Sequence, residues 1–196
     1  MTSFELAAFA LCVSFFVLFI LALIYAKQYQ KAGPNQALII SGRASPYIDP
    51  ATGKMQLRTF RIVRSGGTFV WPVVERVDHL SLEVMAIEVV SSSIYPSQGA
   101  PVTIDGVAQV KIGSDDASIV TAAEHFLSKQ SNEIKTVALQ IIEAHLRSVV
   151  KAMTLEQIHR DRDEINRRVQ DVSSTDLKNM GLTIVSFMIK NIHDER

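Results

Sequence analysis

The chain is poor in the residues that do chemistry. Its 196 residues include a single cysteine, Cys12, which excludes an intramolecular disulfide, a thiolate metal cluster and a cysteine nucleophile outside the apolar segment that holds it. Charge of neither sign accumulates: 20 basic residues face 20 acidic ones, where a nucleic-acid binder would be tipped toward basic. No GxxxxGK[ST] or GxGxxG phosphate loop is present, and Ser41-Gly42 and Ser65-Gly66-Gly67 are glycine turns, not a G-x-S-x-G elbow. The five histidines, His79, His125, His145, His159 and His193, show no metal spacing, and Glu143-Ala144-His145 lacks the second histidine of a zinc protease. Structural or solvated roles are expected for all five. No catalytic residue, metal ligand or cofactor is therefore expected.

What the chain has instead is one long apolar run. Leu6 to Ala26 is 21 residues without a charge or a proline, about 31 Å as a helix, which matches a hydrocarbon core. A core helix of a soluble domain would carry a polar face, and only Ser14 interrupts this one. A signal peptide would have a basic start and a shorter apolar stretch, whereas Glu5 precedes this run. A single membrane crossing is predicted, with a helical hairpin as the alternative. Lys27, Lys31 and Arg43 follow the run before the first acid, Asp49, so the basic flank and the domain beyond it should be cytoplasmic. Tyr25 and Tyr29 fall at that boundary, where amphipathic rings favour the interface.

Beyond the turn signal Gly33-Pro34-Asn35, the chain reads as strands to Ile112: Ala37–Ser41, Met55–Val63, Phe69–Val77, Leu82–Val90 and Val102–Ile112. Asp49-Pro50-Ala51-Thr52-Gly53 and Ser65-Gly66-Gly67 are expected to separate them. The last strand is the clearest, because Val102, Ile104, Gly106, Ala108, Val110 and Ile112 alternate with Thr103, Asp105, Gln109 and Lys111, interrupted only by Val107. The period then changes to that of helices, predicted over Asp116–Leu127, over Asn132–Val150 and from Thr154 onward. Thr154 and Gln157 fit a capping box, and Glu156/Arg160 and Glu164/Arg168 are spaced as i,i+4 ion pairs. Leu155, Ile158, Ile165, Val169 and Val172 form the apolar stripe of that third helix. Arg160-Asp161-Arg162-Asp163-Glu164 is read as a solvated face rather than a partner surface. Leu182 to Ile192 closes the domain as a strand. The fold class is α+β: a transmembrane helix, then a mostly antiparallel sheet with helices packed on one face.

One segment of the strand region stands out. Phe69-Val70-Trp71-Pro72-Val73-Val74 is a short apolar run bounded by Arg64 and Arg76 and preceded by a glycine turn. An aromatic residue, aliphatic neighbours and flanking arginines are the composition of an interfacial wedge. A plain buried strand is the competing reading, since short apolar runs have no diagnostic period.

Several of these stretches together resemble a known family. Gly33-Pro34-Asn35-Gln36-Ala37-Leu38-Ile39-Ile40-Ser41-Gly42, Gly66-Gly67-Thr68-Phe69 with Pro72, Leu80-Ser81-Leu82-Glu83-Val84 and Val102 through Ile112 are similar to flotillins. So are Ala122 through Leu127, Met153 through Ile158 with Arg160-Asp161-Arg162-Asp163, and Met180-Gly181-Leu182. The resemblance is specific at the level of the SPFH (band 7, prohibitin-homology) domain and implies an anchor over residues 1–30 and an SPFH domain over 31–194. It implies a non-enzymatic scaffold of a plasma or bacterial inner membrane, single-pass, which forms homo-oligomers and organises microdomains at the cytoplasmic face. Its partners would be the bilayer, further copies of itself and other membrane proteins, with no nucleic acid. Two departures matter. Animal flotillins attach through acylated cysteines that this chain lacks, and its N-terminal helix is similar to bacterial members. The family also continues into a Glu/Ala-rich coiled coil that drives assembly, whereas this sequence stops at Arg196. Stomatin and prohibitin relatives keep a second role open, a regulator that confines a membrane protease; a membrane-tethered hydrolase is disfavoured for want of a nucleophile with an adjacent base.

Overall fold

The computed structural model describes residues 3–48, 55–71, 74–127 and 129–194. The chain divides into two compact units, Met1–His79 and Leu80–Arg196.

In the first unit, the apolar run becomes one unbroken helix, α1 (Ser3–Gln28). It is followed by β1 (Tyr29–Lys31), β2 (Gln36–Ile48), β3 (Met55–Val63), β4 (Gly67–Phe69) and β5 (Arg76–Ser81), whose last two residues already count to the second unit. The turn expected at Gly33-Pro34-Asn35 forms, with the Gln36 N–H donating to the Gly33 carbonyl at 3.3 Å. The turn expected between β2 and β3, at residues 49–53, lies outside the described residues. β2 pairs antiparallel with β3, from Leu38 opposite Val63 to Ile48 opposite Met55, and the sheet order is β3-β2-β5. Ala37, Leu38, Ile39 and Ile40 are all buried, so this part of β2 is covered on both sides, as a continuous apolar run requires. The register shifts between Ser41 and Ser45, around Gly42, whose φ of +124° suits glycine. A Cβ on Gly42 would also collide with the Val74 carbonyl.

The second unit is a three-stranded antiparallel sheet in the order β6-β7-β8, with β6 at Met85–Ile94, β7 at Val102–Ile112 and β8 at Leu182–Asp194. The alternation read from β7 holds: Val102, Ile104, Ala108, Val110 and Ile112 are fully buried, while of the opposite set only Gln109 is exposed and the rest are half-buried. Between β7 and β8 run α2 (Asp116–Phe126), α3 (Ser131–Lys151), α4 (Leu155–Arg160) and α5 (Arg162–Lys178). Asp115 caps α2 by accepting the Ser118 N–H at 2.8 Å. α3 packs on β6 and α5 on β8, with α3 and α5 in mutual contact, which makes the apolar core a single layer between helices and sheet. The α3 stripe Ile134, Ala138, Ile142, Leu146 and Val150 lies in it.

Three sequence expectations are corrected. Phe69–Val77 is not one strand: β4 ends at Phe69, the Glu75 N–H returns to the Trp71 carbonyl at 3.0 Å, and β5 starts at Arg76. Proline at position 72 has no N–H for a ladder. The strand placed at Leu82–Val90 starts instead at Met85 and runs to Ile94, with Ser93 at φ +51° in an irregular stretch. The third helix breaks at Asp161, whose φ of −114° and ψ of 50° leave the helical region. The restart at Arg162 selects a strict i+4 row, Ile165, Val169, Ser173 and Leu177, and leaves Val172 about half exposed. The Thr154/Gln157 capping box and the Glu164–Arg168 pair, at 2.7 Å, both form.

Candidate membrane interface

The last turn of α1 runs directly into a two-stranded ribbon. β1 and β4 pair antiparallel with Tyr29 opposite Phe69, Gln30 opposite Thr68 and Lys31 opposite Gly67. The Ala32 N–H donates to the Gly66 carbonyl at 2.9 Å and the Val70 N–H to the Gln28 carbonyl at 3.1 Å. That second bond satisfies a carbonyl at the helix end that has no partner inside α1. Gly67 lets the Tyr29 ring lie close over the ribbon, where a Cβ would push the ring aside. The ribbon is therefore fastened to the helix end by its own backbone rather than tethered by a loose linker.

Aromatic rings extend this fastening. Tyr25, in the last turns of α1, stacks on Phe69 with centroids 4.9 Å apart, and Phe69 meets Trp71 edge-on at 5.8 Å. Trp71 nevertheless remains 55% exposed and Val74 60%, while Val70 is buried at 6%. Tyr25 and Tyr29 are exposed as well. The loop thus turns one side chain inward as an anchor and presents others to the surroundings at the end of the apolar helix.

A polar clasp holds the loop. Arg61 on β3 donates from Nη2 to the Phe69 carbonyl at 2.8 Å and to Glu75 Oε2 at 3.1 Å. The same carboxylate oxygen accepts the Trp71 N–H at 3.0 Å. The Glu75 side chain is 3% exposed and that of Arg61 37%, so this ion pair is partly desolvated and stronger than a surface pair. Replacing Glu75 by alanine leaves the Trp71 N–H without its acceptor and the Arg61 guanidinium without its counter-charge, holding only the Phe69 carbonyl. We expect a loss of about 2 kcal/mol in denaturant unfolding and a weakened near-ultraviolet circular dichroism band of Trp71. An unchanged band would show that the clasp does not hold the loop.

Of the residues singled out from sequence, Phe69 and Trp71 join one aromatic row and Val70 is its buried anchor. Arg64 and Arg76 are exposed, at the end of β3 and the start of β5. Pro72 lies outside the described residues. Sequence reasoning missed Arg61 and Glu75, whose pairing joins positions fourteen residues apart with no motif between them, and it did not connect Tyr25 to Phe69.

The histidines lie elsewhere. His145 pairs with Asp176 at 2.8 Å between α3 and α5, His159 with Asp194 at 3.0 Å between α4 and β8, and His193 with Asp105 at 3.7 Å across the β7–β8 ladder. Each joins two secondary-structure elements. Among the described residues no cluster of three or more His, Cys, Asp or Glu side chains could hold a metal ion.

Comparison with known proteins agrees with this architecture. Residues 30–196 match the model of the SPFH domain / Band 7 family. The chain is 40% identical over 187 residues to the flotillin-like protein FloT of Bacillus subtilis (strain 168), which covers 93% of this chain and 36% of that protein. It is 41% identical over 164 residues to Flotillin-1 of Drosophila melanogaster, covering 83% of this chain and 36% of the relative. Against Flotillin-1 of Homo sapiens the identity is 35% over 167 residues, covering 84% and 36%. The chain thus spans little more than a third of the length of these relatives.

Proposed function

Since the chain belongs to the SPFH domain / Band 7 family, we propose that it is a membrane-anchored scaffold that gathers lipids and membrane proteins laterally at the cytoplasmic face, without an enzymatic step of its own. The observation that carries this reading is the hydrogen-bonded, aromatic-lined junction of α1 with the β1–β4 ribbon. A catalytic domain needs only a flexible tether; a scaffold must transmit its own position to the surrounding bilayer, and a fastened junction does so. In this reading α1 crosses once, the Trp71 loop sits at the headgroup level, and further copies of the chain are the first partner.

Three measurements test the parts separately. Chemical cross-linking in native membranes should return self-adducts, whereas stoichiometric recovery of a protease would replace the scaffold with a protease regulator. Protease added to sealed right-side-out vesicles should spare everything after Lys27, and digestion of the domain would reverse the orientation. Trp71 is the only tryptophan, so its fluorescence in phosphatidylcholine vesicles should be quenched by bromine near the headgroup end of the acyl chains. No quenching at any depth would place Trp71 away from the bilayer.

A further inference from the structure

The zero net charge conceals a division between the two units. Residues 1–79 carry eight basic and four acidic side chains, and residues 80–196 carry twelve and sixteen. The unit that contains the apolar helix is therefore the basic one.

The acids of that unit do little to offset its cations at the helix end. Glu5 lies at the opposite end of α1. Glu75 is almost wholly buried and engaged by Arg61. The Asp78 side chain is 14% exposed and accepts from Arg76 at 3.3 Å. Asp49 lies outside the described residues. The cations are placed differently. Lys27 lies in the last turn of α1 and Lys31 ends β1, both are exposed, and among the described residues neither pairs with a carboxylate. Arg64 and Arg76 are also exposed, and the Arg76 side chain is 73% accessible even while bonded to Asp78.

We propose that the end of α1 and the β1–β4 ribbon form a binding surface for anionic lipid headgroups, with Lys27 and Lys31 as its main contacts and Arg64 and Arg76 at its margin. The inference rests on the reading that Trp71 sits at the bilayer surface. An ammonium can reach a lipid phosphate while its methylene stem lies along an apolar neighbour, and Tyr29 shares the exposed face of β1 with Lys31. The helix dipole accounts for a cation in the last turn of α1, but Lys31 lies outside the helix and is not explained by it. A scaffold with this surface would collect anionic lipids around each copy, which gives lateral sorting a chemical basis.

The test uses the full chain in vesicles of equal phosphatidylglycerol and phosphatidylcholine, with bromine on the acyl chains of one lipid or the other. Brominated phosphatidylglycerol should quench Trp71 severalfold more effectively, since each cation near an anionic surface is worth about fivefold in local enrichment. The preference should fall toward unity in Lys27→Gln/Lys31→Gln and in 1 M salt, where the Debye length is about 3 Å. Equal quenching by both lipids would overturn the headgroup preference while leaving Trp71 at the interface. Quenching by neither would overturn the interfacial reading itself. A preference undiminished in the double variant would remove Lys27 and Lys31 from the assignment.

Discussion

Ile104→Asp is expected to destabilise the second unit by several kcal/mol, a large share of its total stability. Ile104 is fully buried near the start of β7, the middle strand of the sheet, between Ser91 of β6 and Ile192 of β8 in the ladder. Its side chain belongs to the face that the helices cover, so the carboxylate would lose its water, and the Arg147 guanidinium that reaches the opposite Ser91 Oγ at 3.3 Å is already engaged by Glu143 at 2.7 Å. A domain with a total stability of about 5–15 kcal/mol does not absorb such a cost easily. The matched control is Gln109→Asp, on the same strand at its one exposed position, opposite Ala86 and Ser186. There the cost should be about 1 kcal/mol or less, set by the weak strand preference of aspartate. Thr103 is a poorer control, because its Oγ accepts the Ser93 N–H at 3.3 Å in the irregular stretch of β6. Circular dichroism melts of the detergent-solubilised chain separate the two cases. Equal losses at 104 and 109 would mean that β7 is buried on both faces.

The contrast between β7 and the Trp71 loop shows where sequence suffices. In β7 a period of two runs for eleven residues, long enough for the pattern to exclude a helix and to name the buried face. Phe69 to Val74 has six apolar residues and no period, so nothing local separates a strand from a turn held by a distant arginine. What decides it is the Arg61–Glu75 pair, and such a pair is visible only once β3 and β5 have been placed. The break at Asp161 was hidden for a related reason. Arg160-Asp161-Arg162-Asp163-Glu164 carries suitable residues for a helix face at every position, and aspartate is equally at home as a cap. The one-residue choice between Val172 and Ser173 as the inward position follows from that break, since restarting the helix at Arg162 rotates what comes after it. The candidate interface was legible in composition, through Trp71 and the flanking arginines, and illegible in geometry. The stacking of Tyr25 on Phe69 joins residues 44 positions apart, and no spacing rule reaches that far.

Phe16→Arg is expected to weaken insertion, and a second arginine at Phe19 to abolish it. Phe16 is the midpoint of the Leu6–Ala26 run and 63% exposed on α1, and none of the window Leu11–Gln28 is buried inside protein. The surface of that helix therefore depends on lipid for its burial. An arginine at the centre of a spanning helix costs about 2.5–3.5 kcal/mol on translocon scales. Lys27 is eleven residues further along, about 16 Å by helical rise, so a guanidinium at 16 cannot reach the headgroups without deforming the bilayer. Against this stand the remaining twelve Leu, Ile, Phe and Val residues of the run, which together favour insertion by about 4–7 kcal/mol at central-position values. One arginine should consequently lower the carbonate-resistant membrane fraction without eliminating it. Phe16→Arg/Phe19→Arg opposes insertion by about 5–7 kcal/mol, which cancels the whole apolar contribution. Tyr25→Arg, at the basic end of the run, should change little, because cations near a helix end extend to the interface. The Trp71 loop adds a second distinction: protein that has lost its span but kept the loop should remain at the bilayer as a peripheral species and leave it in carbonate. Full carbonate resistance of the double variant would mean that α1 does not hold the chain in the membrane by crossing it.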